Sequence, residues 1–395
     1  MYRFAQSPTD PAFVQNPYPA YARARAAGGA LVWWEEYAMP CALSYASVNV
    51  VLRDRRFGRE IPAEQASPPP AHLAPFYAIE DHSMLELEPP RHTRLRGLVL
   101  RAFTTQRIAD LAPGITALCH RLIDAFPQDV AFDLLPAYAR LIPVITIARL
   151  LGVPESRADD LLSWSNAMVG MYQARRTRRM EDEAAGAAIA FTAFLTDYID
   201  QRRTMPGDDL ITQLIAAEED GARLSTPELI STCILLLNAG HEATVHSIGN
   251  ATRLLLAQRD PRAHLTPDRI AATVEELLRL DPPLHMFTRY AYEDVELNGH
   301  TFRRGDRIGL LLGAANRDPA HWQNPDRFDP ARPAKATAAF GAGLHFCVGA
   351  PLARLELQIA LKTLFDRCPD LRLSGQPRFA DSYHFHGLSR LMVRV

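Results

Sequence analysis

A long apolar segment in the middle of the chain places the strongest constraint on the fold. It opens with Ser225-Thr226-Pro227-Glu228, a helix start signal with a hydroxyl N-cap, a proline in the first turn and an early carboxylate. The residues up to Ala257 are apolar on nearly every side, so the helix must be buried on most of its surface. About thirty residues at roughly 1.5 Å each form a rod of about 45 Å. A buried rod of this length predicts one domain over residues 1–395, although chain length alone favours two.

Apolar periodicity elsewhere is mainly helical, and the strand-like stretches are short. The sequence therefore predicts a mainly α protein with small β-sheets near both ends. Predicted helices cover 104–126, 136–152, 155–174, 181–203, 208–218, 225–257 and 268–280, and predicted strands cover 32–34, 42–44, 295–297, 307–312, 371–373 and 389–395.

Charge and targeting signals exclude several classes of function. A formal net charge of −2 gives no general attraction to nucleic acid or to an anionic membrane. The N-terminal residues lack the apolar core of a signal peptide, and no apolar run is long enough to span a bilayer. We therefore expect a cytoplasmic protein with neither nucleic acid nor membrane as a partner. The five cysteines are scattered without a CxxC pair, which favours neither a zinc site nor a disulfide framework.

A glycine-rich stretch around Cys347 carries the chemistry. Residues 340–350 read FGAGLHFCVGA, with two glycines before the cysteine and one after it. Glycine lets backbone approach a flat ligand closely and adopt turns closed to other residues. A helix is predicted to begin after Gly349, with Pro351 in its first turn. Cys347 thus precedes a helix N-terminus, where amide dipoles are expected to lower the thiol pKa and to stabilise a thiolate.

This stretch resembles the haem-binding signature of the cytochrome P450 family, FGxGxHxCxG, at every fixed position. The resemblance implies a helical fold with the long helix lying over haem b. It implies that the Cys347 thiolate ligates the iron, an arrangement that favours O–O cleavage. It also implies that Phe340, Gly341 and Gly349 contact the cofactor.

Further motifs of the same family follow along the chain. Glu276-Leu277-Leu278-Arg279 resembles the ExxR motif, and Arg332 lies in a segment similar to the one that completes a buried Glu–Arg–Arg network. Without the family context, a surface ion pair would be the favoured interpretation of Glu276 and Arg279. The resemblance also implies partners for the haem propionates, which require cationic or donor groups. These are His92, Arg96, Arg289 and His345.

The long helix departs from the family pattern. Its centre reads Ala239-Gly240-His241-Glu242-Ala243-Thr244, whereas the family usually has threonine directly after the acid. The methyl group of Ala243 can neither donate nor accept a hydrogen bond. Thr244 lies about 100° further around the helix. Its hydroxyl either bonds to its own i−4 carbonyl or reaches the site through a local helix distortion. Glu242 remains available as a proton carrier.

Three hypotheses follow from Ala243. In the first, a substrate hydroxyl or an ordered water supplies the missing donor and normal oxygenation survives. In the second, the enzyme carries out phenol coupling or desaturation. In the third, hydrogen peroxide is the practical oxidant. We favour the first because Glu242 is retained. A non-catalytic haem sensor is a more distant alternative, which needs no proton route.

The resemblance implies a monooxygenase that oxidises a small, largely apolar molecule with O2. The chain contains no flavin domain and no iron–sulfur cysteine set, so a ferredoxin with its reductase is the expected electron donor. We expect docking on the Cys347 side at arginines such as Arg94, Arg101 and Arg354. Expected substrate contacts are regions 61–86, 164–175, 284–288 and 383–386, with Leu236, Ala239, Leu284, Met286, Phe287, Tyr383 and Phe385 as apolar groups and His285 and His384 as polar ones.

Overall fold

The computed structural model describes residues 1–173, 176–219 and 222–395. The α-helices are α1 (Pro11–Gln15), α2 (Tyr18–Gly28), α3 (Tyr45–Arg53), α4 (Ala74–Glu80), α5 (Arg91–Ala102), α6 (Thr105–Asp110), α7 (Ala112–Asp124), α8 (Leu141–Leu151), α9 (Ala158–Val169), α10 (Arg178–Thr204), α11 (Leu210–Ala216), α12 (Thr226–Leu256), α13 (Ile270–Leu280), α14 (Leu312–Ala315) and α15 (Ala350–Arg367).

The strands are short, as the sequence predicts. They are β1 (Tyr2–Phe4), β2 (Leu31–Trp34), β3 (Met39–Ala42), β4 (Phe57–Gly58), β5 (Phe132–Asp133), β6 (Glu218–Glu219), β7 (Ala222–Arg223), β8 (Met286–Ala291), β9 (Val295–Leu297), β10 (His300–Phe302), β11 (Arg307–Leu311), β12 (Arg372–Leu373), β13 (Arg378–Phe379), β14 (Leu388–Arg390) and β15 (Met392–Arg394). The prediction of a mainly α protein with small sheets is confirmed.

The largest sheet has the strand order β1-β2-β3-β11-β8-β4. β1 pairs with β2, and β3 with β11, in parallel; the other neighbours are antiparallel. Ile308 of β11 pairs with Arg289 of β8, a strand that the periodicity did not predict. The tail strand β15 lies between β12 and β5, and β13 pairs with β14.

The central helix α12 forms as its sequence predicts. Ser225 Oγ accepts a hydrogen bond from the Glu228 amide, and the Glu228 carboxylate accepts one from the Ser225 amide at 2.9 Å, which completes a capping box. Leu229–Asn238 and Ser247–Thr252 are buried throughout. Among the described residues, no helix is long and apolar enough to cross a membrane. That residues 1–395 fold as one domain stays a prediction.

Two predicted helices are broken where proline interrupts the amide ladder. The helix predicted over 104–126 divides at Leu111 into α6 and α7, and Pro113 lies in the first turn of α7. The helix predicted over 136–152 begins as a π-turn, Leu135–Ala139, before α8. Pro143 has no amide to donate to the carbonyl four residues earlier, that of Ala139. A break or a π-turn of a few residues is too short to be detected from the spacing of apolar residues.

A buried polar cluster joins the N-terminal helices to the residues around Asp281. The Tyr18 hydroxyl donates to Asp281 Oδ1 at 2.7 Å, and Arg253 donates to Oδ2 at 2.8 Å. His386 Nε2 lies 3.4 Å from Oδ1. Although burial alone would raise the pKa of Asp281, the nearby cationic groups hold it far below its usual value. We call this set, with His285 and Tyr21, the Asp281 cluster.

Candidate functional site

The loop before α15 wraps Cys347 in a conformation that requires glycine. Gly341 and Gly343 have φ values of +67° and +68°. A Cβ on Gly343 would lie 2.2 Å from the Leu52 carbonyl oxygen at the end of α3, so no other residue fits there without rearrangement. The Cys347 amide donates to the Phe340 carbonyl at 3.0 Å and closes the loop. The backbone therefore fixes where the sulfur lies.

The electrostatics of Cys347 correct one expectation. Burial raises the pKa of the thiol, and this outweighs the amides of Gly349 and Ala350 and the charges of Arg96 and Arg354, which lower it. The amides at the helix N-terminus thus act in the expected direction, but burial outweighs them, and the thiol pKa of the chain alone is raised rather than lowered. A metal ion bound to the sulfur would deprotonate it outright.

Three of the four predicted propionate partners lie together beside the cysteine loop. The His92 and His345 ring centroids are 4.5 Å apart. Arg96 donates to the Phe346 carbonyl at 2.7 Å, one residue before the cysteine. His345 Nε2 lies 2.9 Å from a Glu88 carboxylate oxygen. We call His92, Arg96 and His345, together with Arg289 of β8, the cationic cluster.

The cationic cluster has the composition of a buried anion site. Burial lowers the pKa of Arg289 to about 9 and that of His92 to about 4. Within the described ranges, Arg96 and Arg289 have no carboxylate partner, and the buried Nδ1 of His92 has no hydrogen-bond partner. The charge of Arg96 acts on the Cys347 sulfur, and that of Arg289 acts on His345. The charges of Glu88 and Glu86 act on Arg289 without forming a salt bridge to it. Two guanidiniums without a salt bridge, near the cysteine loop, match the two carboxylates of haem, and the sulfur matches its iron. The residues present fit that group.

The predicted Glu–Arg–Arg network is present in the structure. Glu276 accepts two hydrogen bonds from Arg279, at 2.7 and 2.8 Å, and a further pair from Arg332, at 3.1 and 3.2 Å. Arg279 is fully buried and also donates to the Asn316, Pro325 and Arg327 carbonyls. The two guanidiniums thus hold the irregular segment that precedes the cysteine loop.

The middle of α12 has one open face. Between Leu229 and Thr252, the residues that are not buried are Ala239, Gly240, Glu242, Ala243 and His246. At about 100° per residue these five positions fall within one arc of roughly 160°. An otherwise buried helix that opens on one side borders an internal space. We call this surface the open face of α12.

The geometry around Ala243 decides between the alternatives for Thr244. The Thr244 side chain is buried, and its hydroxyl donates to its own i−4 carbonyl, that of Gly240, at 2.9 Å. The helix is regular from Thr226 to Leu256, without a π-bulge. The hydroxyl of Thr244 therefore does not take the place of the missing one, and Ala243 presents a methyl group on the open face.

Some predicted substrate contacts are brought to the same region. Ala239 is exposed on the open face of α12. Leu284 and Phe385 form an isolated β-bridge, and the Phe385 ring lies 5.9 Å from His246. The Phe287 ring lies 3.4 Å from the Cβ position of Gly341 in the cysteine loop. These groups border the cysteine loop or the open face.

Other predicted contacts lie elsewhere. Met286 is 3% exposed in the N-terminal hydrophobic cluster, on the opposite side of β8 from Phe287, and is a core residue rather than a substrate contact. Leu236 is 6% exposed in the main core. His285 belongs to the Asp281 cluster, where its Nδ1 lies 3.2 Å from the Tyr21 hydroxyl. Of the predicted region 164–175, the last two residues lie outside the described residues. Apolar residue type alone does not show which side of a strand as short as β8 faces the site.

Two of the three proposed docking arginines form salt bridges with carboxylates. Arg94 is paired with Glu228. Arg354 is paired with Glu275, and its guanidinium lies 4.6 Å from the centre of the Phe340 ring. Each side chain is about one-third exposed, at 33% and 32%. Steering by these two arginines is therefore weaker than the sequence suggests.

Two buried carboxylic acids were not among the residues predicted from the sequence. Burial raises the pKa of Glu80 at the end of α4 to about 8, and the Tyr172 hydroxyl donates to it at 3.1 Å. Burial also raises the pKa of Glu356 in α15 to about 8. The signal for Glu356 was available: Leu352, Glu356 and Ala360 recur every four residues, which places the acid in an apolar stripe. Glu80 has no such signal.

Comparison with known proteins identifies the class. The family model "Cytochrome P450" matches residues 270–379. Cytochrome P450 107B1 of Saccharopolyspora erythraea is 43% identical, covering 79% of this chain and 76% of that protein. Vitamin D(3) 25-hydroxylase of Pseudonocardia autotrophica is 38% identical, covering 97% of this chain and 94% of that protein. The structure of P450BioI in complex with an acyl carrier protein ligated to hexadec-9Z-enoic acid superposes with a TM-score of 0.90 at 33% identity, covering 97% and 99% of the two chains.

The chain belongs to the cytochrome P450 family, and its fold is that of the family's solved structures. It is an oxidoreductase of the monooxygenase type that binds haem b. The family membership that the cysteine stretch indicated is confirmed.

Proposed function

We propose that this protein hydroxylates a mostly apolar organic molecule that carries its own hydroxyl group, with electrons delivered by a separate ferredoxin. Cys347 is the iron ligand, and His92, Arg96, Arg289 and His345 hold the propionates. Haem bound in this way supplies the activation of O2. Two of the similar proteins reported above support the substrate class, because vitamin D(3) and a hexadecenoyl chain are both long and largely apolar.

The observation that carries the proposal is the methyl group of Ala243 on the open face of α12. With the Thr244 hydroxyl turned onto the Gly240 carbonyl, this part of the face has no side-chain hydroxyl to orient a proton. A substrate hydroxyl, or a water held by it, occupies the place that Ala243 leaves open. Glu242, one position earlier, passes the proton on toward the site.

A ferrous–CO spectrum tests the iron ligand. The wild type is expected to give the thiolate Soret band, and Cys347→Ala to lose it while still folding, as followed by far-UV circular dichroism. An unchanged band in Cys347→Ala would overturn the assignment of this ligand.

A matched substrate pair tests the role of the hydroxyl. We expect a molecule that shifts the iron to high spin to couple NADH oxidation to product about tenfold better than its deoxy analogue. Ala243→Thr should narrow that difference, because the protein then supplies the hydroxyl. Equal coupling for both molecules in the wild type would contradict the proposal. Faster product formation with hydrogen peroxide than with ferredoxin and NADH would favour the peroxide alternative.

A further inference from the structure

Two titratable side chains share the open face of α12, one turn apart. His246 Nε2 lies 3.0 Å from Glu242 Oε1, and the side chains are 13% and 25% exposed. Both therefore border the internal space that Ala239 and Ala243 border. The hypotheses drawn from the sequence gave Glu242 a proton to carry but no group from which to receive it.

The second histidine near Glu242 is bound in a different way. His241 Nε2 lies 3.4 Å from the other carboxylate oxygen, but His241 is only 2% exposed. Its Nδ1 lies 3.2 Å from the Ser165 hydroxyl, and its Nε2 lies 3.2 Å from the Asn166 amide oxygen. Both ring nitrogens are thus occupied by uncharged groups of α9. Burial lowers the pKa of His241.

The C-terminal segment holds the His246 ring in place. A Cβ at Gly387 would lie 1.8 Å from His246 Nδ1, so only glycine at that position admits the ring. Gly387 is itself fixed, because its carbonyl accepts a hydrogen bond from the Ala380 amide at 2.9 Å. Among the described residues, none hydrogen-bonds to His246 Nδ1. The ring thus has one nitrogen on Glu242 and the other beside the tail.

The charges around Glu242 favour its ionised form. Burial alone would raise the pKa of Glu242, but the hydrogen bond from His246 and the charges of His246, His241 and Arg140 hold it below its usual value. Arg140 precedes α8, and His241 and His246 are on α12 itself. A carboxylate that has released its proton here must be recharged by a neighbour.

We propose that His246 is a positioning residue that holds the Glu242 carboxylate on the open face of α12 and recharges it with protons from the tail side. This inference rests on the proposed function, because it assigns a task to Glu242 in oxygen chemistry. One proton passes from Nε2–H to Glu242 Oε1 while Nδ1 takes up another from a solvent hydronium ion, which becomes water. The ring stays neutral, and one proton has moved from solvent to Glu242. The starting tautomer is restored when water accepts the Nδ1 proton and a solvent hydronium ion gives one to Nε2, so the number of protons balances.

The first test does not depend on turnover. In the diamagnetic ferrous–CO protein, ring ¹⁵N shifts are expected to show His246 with its proton on Nε2, and Glu242→Gln to move that resonance. A proton on Nδ1, or a resonance unaffected by Glu242→Gln, overturns the inference.

The second test measures how O2 is used. With a surrogate ferredoxin, its reductase and NADH but no substrate, O2 is reduced to hydrogen peroxide or to water, and the ratio reports proton supply. We expect His246→Gln to raise the peroxide-to-water ratio about tenfold and to flatten its pH dependence. His300→Gln in β10 is the matched control and should leave both unchanged. Equal ratios for the two variants across pH overturn the inference, while the absence of any NADH-driven O2 uptake in the wild type counts against the proposed function instead.

A third variant removes the geometry and keeps both titratable groups. Gly387→Ala should expel the ring from Glu242 and reproduce the effect of His246→Gln. In a His246→Ala background, where there is no ring to expel, the same Gly387→Ala change should add less than twofold. An equally large effect in both backgrounds would show that the tail acts through something other than His246.

Discussion

Two polar clusters meet at β8, the Asp281 cluster through His285 just before the strand and the cationic cluster through Arg289 within it, and they differ in how their charges are compensated. In the Asp281 cluster, the carboxylate accepts hydrogen bonds from Tyr18 and Arg253, and the Arg253 charge balances its own. In the cationic cluster, neither Arg96 nor Arg289 forms a salt bridge with a carboxylate of the described residues, and Glu88 and Glu86 act on Arg289 only from a greater distance. A balanced cluster stabilises the chain by itself, whereas an unbalanced one is costly until an anion arrives.

The same comparison explains why the Asp281 cluster is not a metal site. Ligand atoms of Asp281, His285 and His386 lie within 4.8 Å of one another, which alone resembles a metal-binding triad. Both oxygens of Asp281 are already occupied, and Arg253 and Arg317 act on it as positive charges. A cation would have to displace these partners. The cluster connects α2, α12 and the tail.

The largest expected effect comes from breaking the balanced cluster. Asp281→Ala should lower the free energy of unfolding by about 3–5 kcal/mol, because it removes the buried carboxylate to which Tyr18 and Arg253 donate hydrogen bonds. Since the folded pKa of Asp281 is depressed, its contribution is present above the unfolded pKa near 4 and is lost as the pH falls below it. Urea unfolding at neutral and acidic pH measures both effects. Asp197→Ala, at an exposed position of α10, is the control, and its free energy of unfolding should change by about 0.5 kcal/mol or less.

Breaking the unbalanced cluster should have the opposite pattern. Arg289→Leu is expected to weaken haem binding by roughly 10- to 100-fold, through the loss of a charge-assisted hydrogen bond. It should leave the haem-free chain at least as stable, because the change removes a buried charge that forms no salt bridge among the described residues. Soret titration and urea unfolding separate the two effects. Arg253→Leu should behave in reverse, and identical behaviour of the two variants would show that the clusters do not differ as described.

A pH series sharpens the contrast within the cationic cluster. Burial lowers the pKa of His92 to about 4, whereas the unfolded value is near 6.5. The neutral ring therefore gives full stability above about pH 6.5, and the haem-free protein should lose about 1–3 kcal/mol as the pH falls toward about 4. His92→Gln should remove this part of the slope in urea titrations. A slope as steep in His92→Gln as in the wild type and in His300→Gln would contradict the assignment.

The smallest effect is expected at the edge of the Asp281 cluster. The Tyr21 hydroxyl forms hydrogen bonds with His285 and with the Tyr383 hydroxyl, the latter at 2.8 Å. Tyr21→Phe should lower the free energy of unfolding by about 1 kcal/mol without changing haem affinity. Tyr2→Phe, at an exposed position, should change neither quantity. A loss of haem affinity in Tyr21→Phe would mean that the two clusters are coupled.

The fold and the cysteine loop were predictable because their signals are local. The capping residues of α12 and the glycines around Cys347 each determine the local backbone conformation within a few residues of sequence. The partners that arrive from distant elements were not predictable in this way. Gly387 belongs to no recognisable motif in the sequence, and only the folded structure shows that the absence of a side chain there leaves space for the His246 ring. Met286 and Phe287 are adjacent apolar residues, and only the pairing of β8 with β11 determines which of them faces the cysteine loop.

The Glu276 network has a consequence for how the chain resists proteolysis. Between α14 and the cysteine loop, the segment 316–332 contains neither helix nor strand, and such stretches are ordinarily where proteases cut first. Here Arg279 and Arg332 bind its carbonyl groups from beneath, at Asn316, Gln323, Pro325 and Arg327. Cleavage requires an extended, detached backbone, so this stretch should survive limited digestion as well as a helix does, and a single change at Arg332 should turn it into the first site of cleavage.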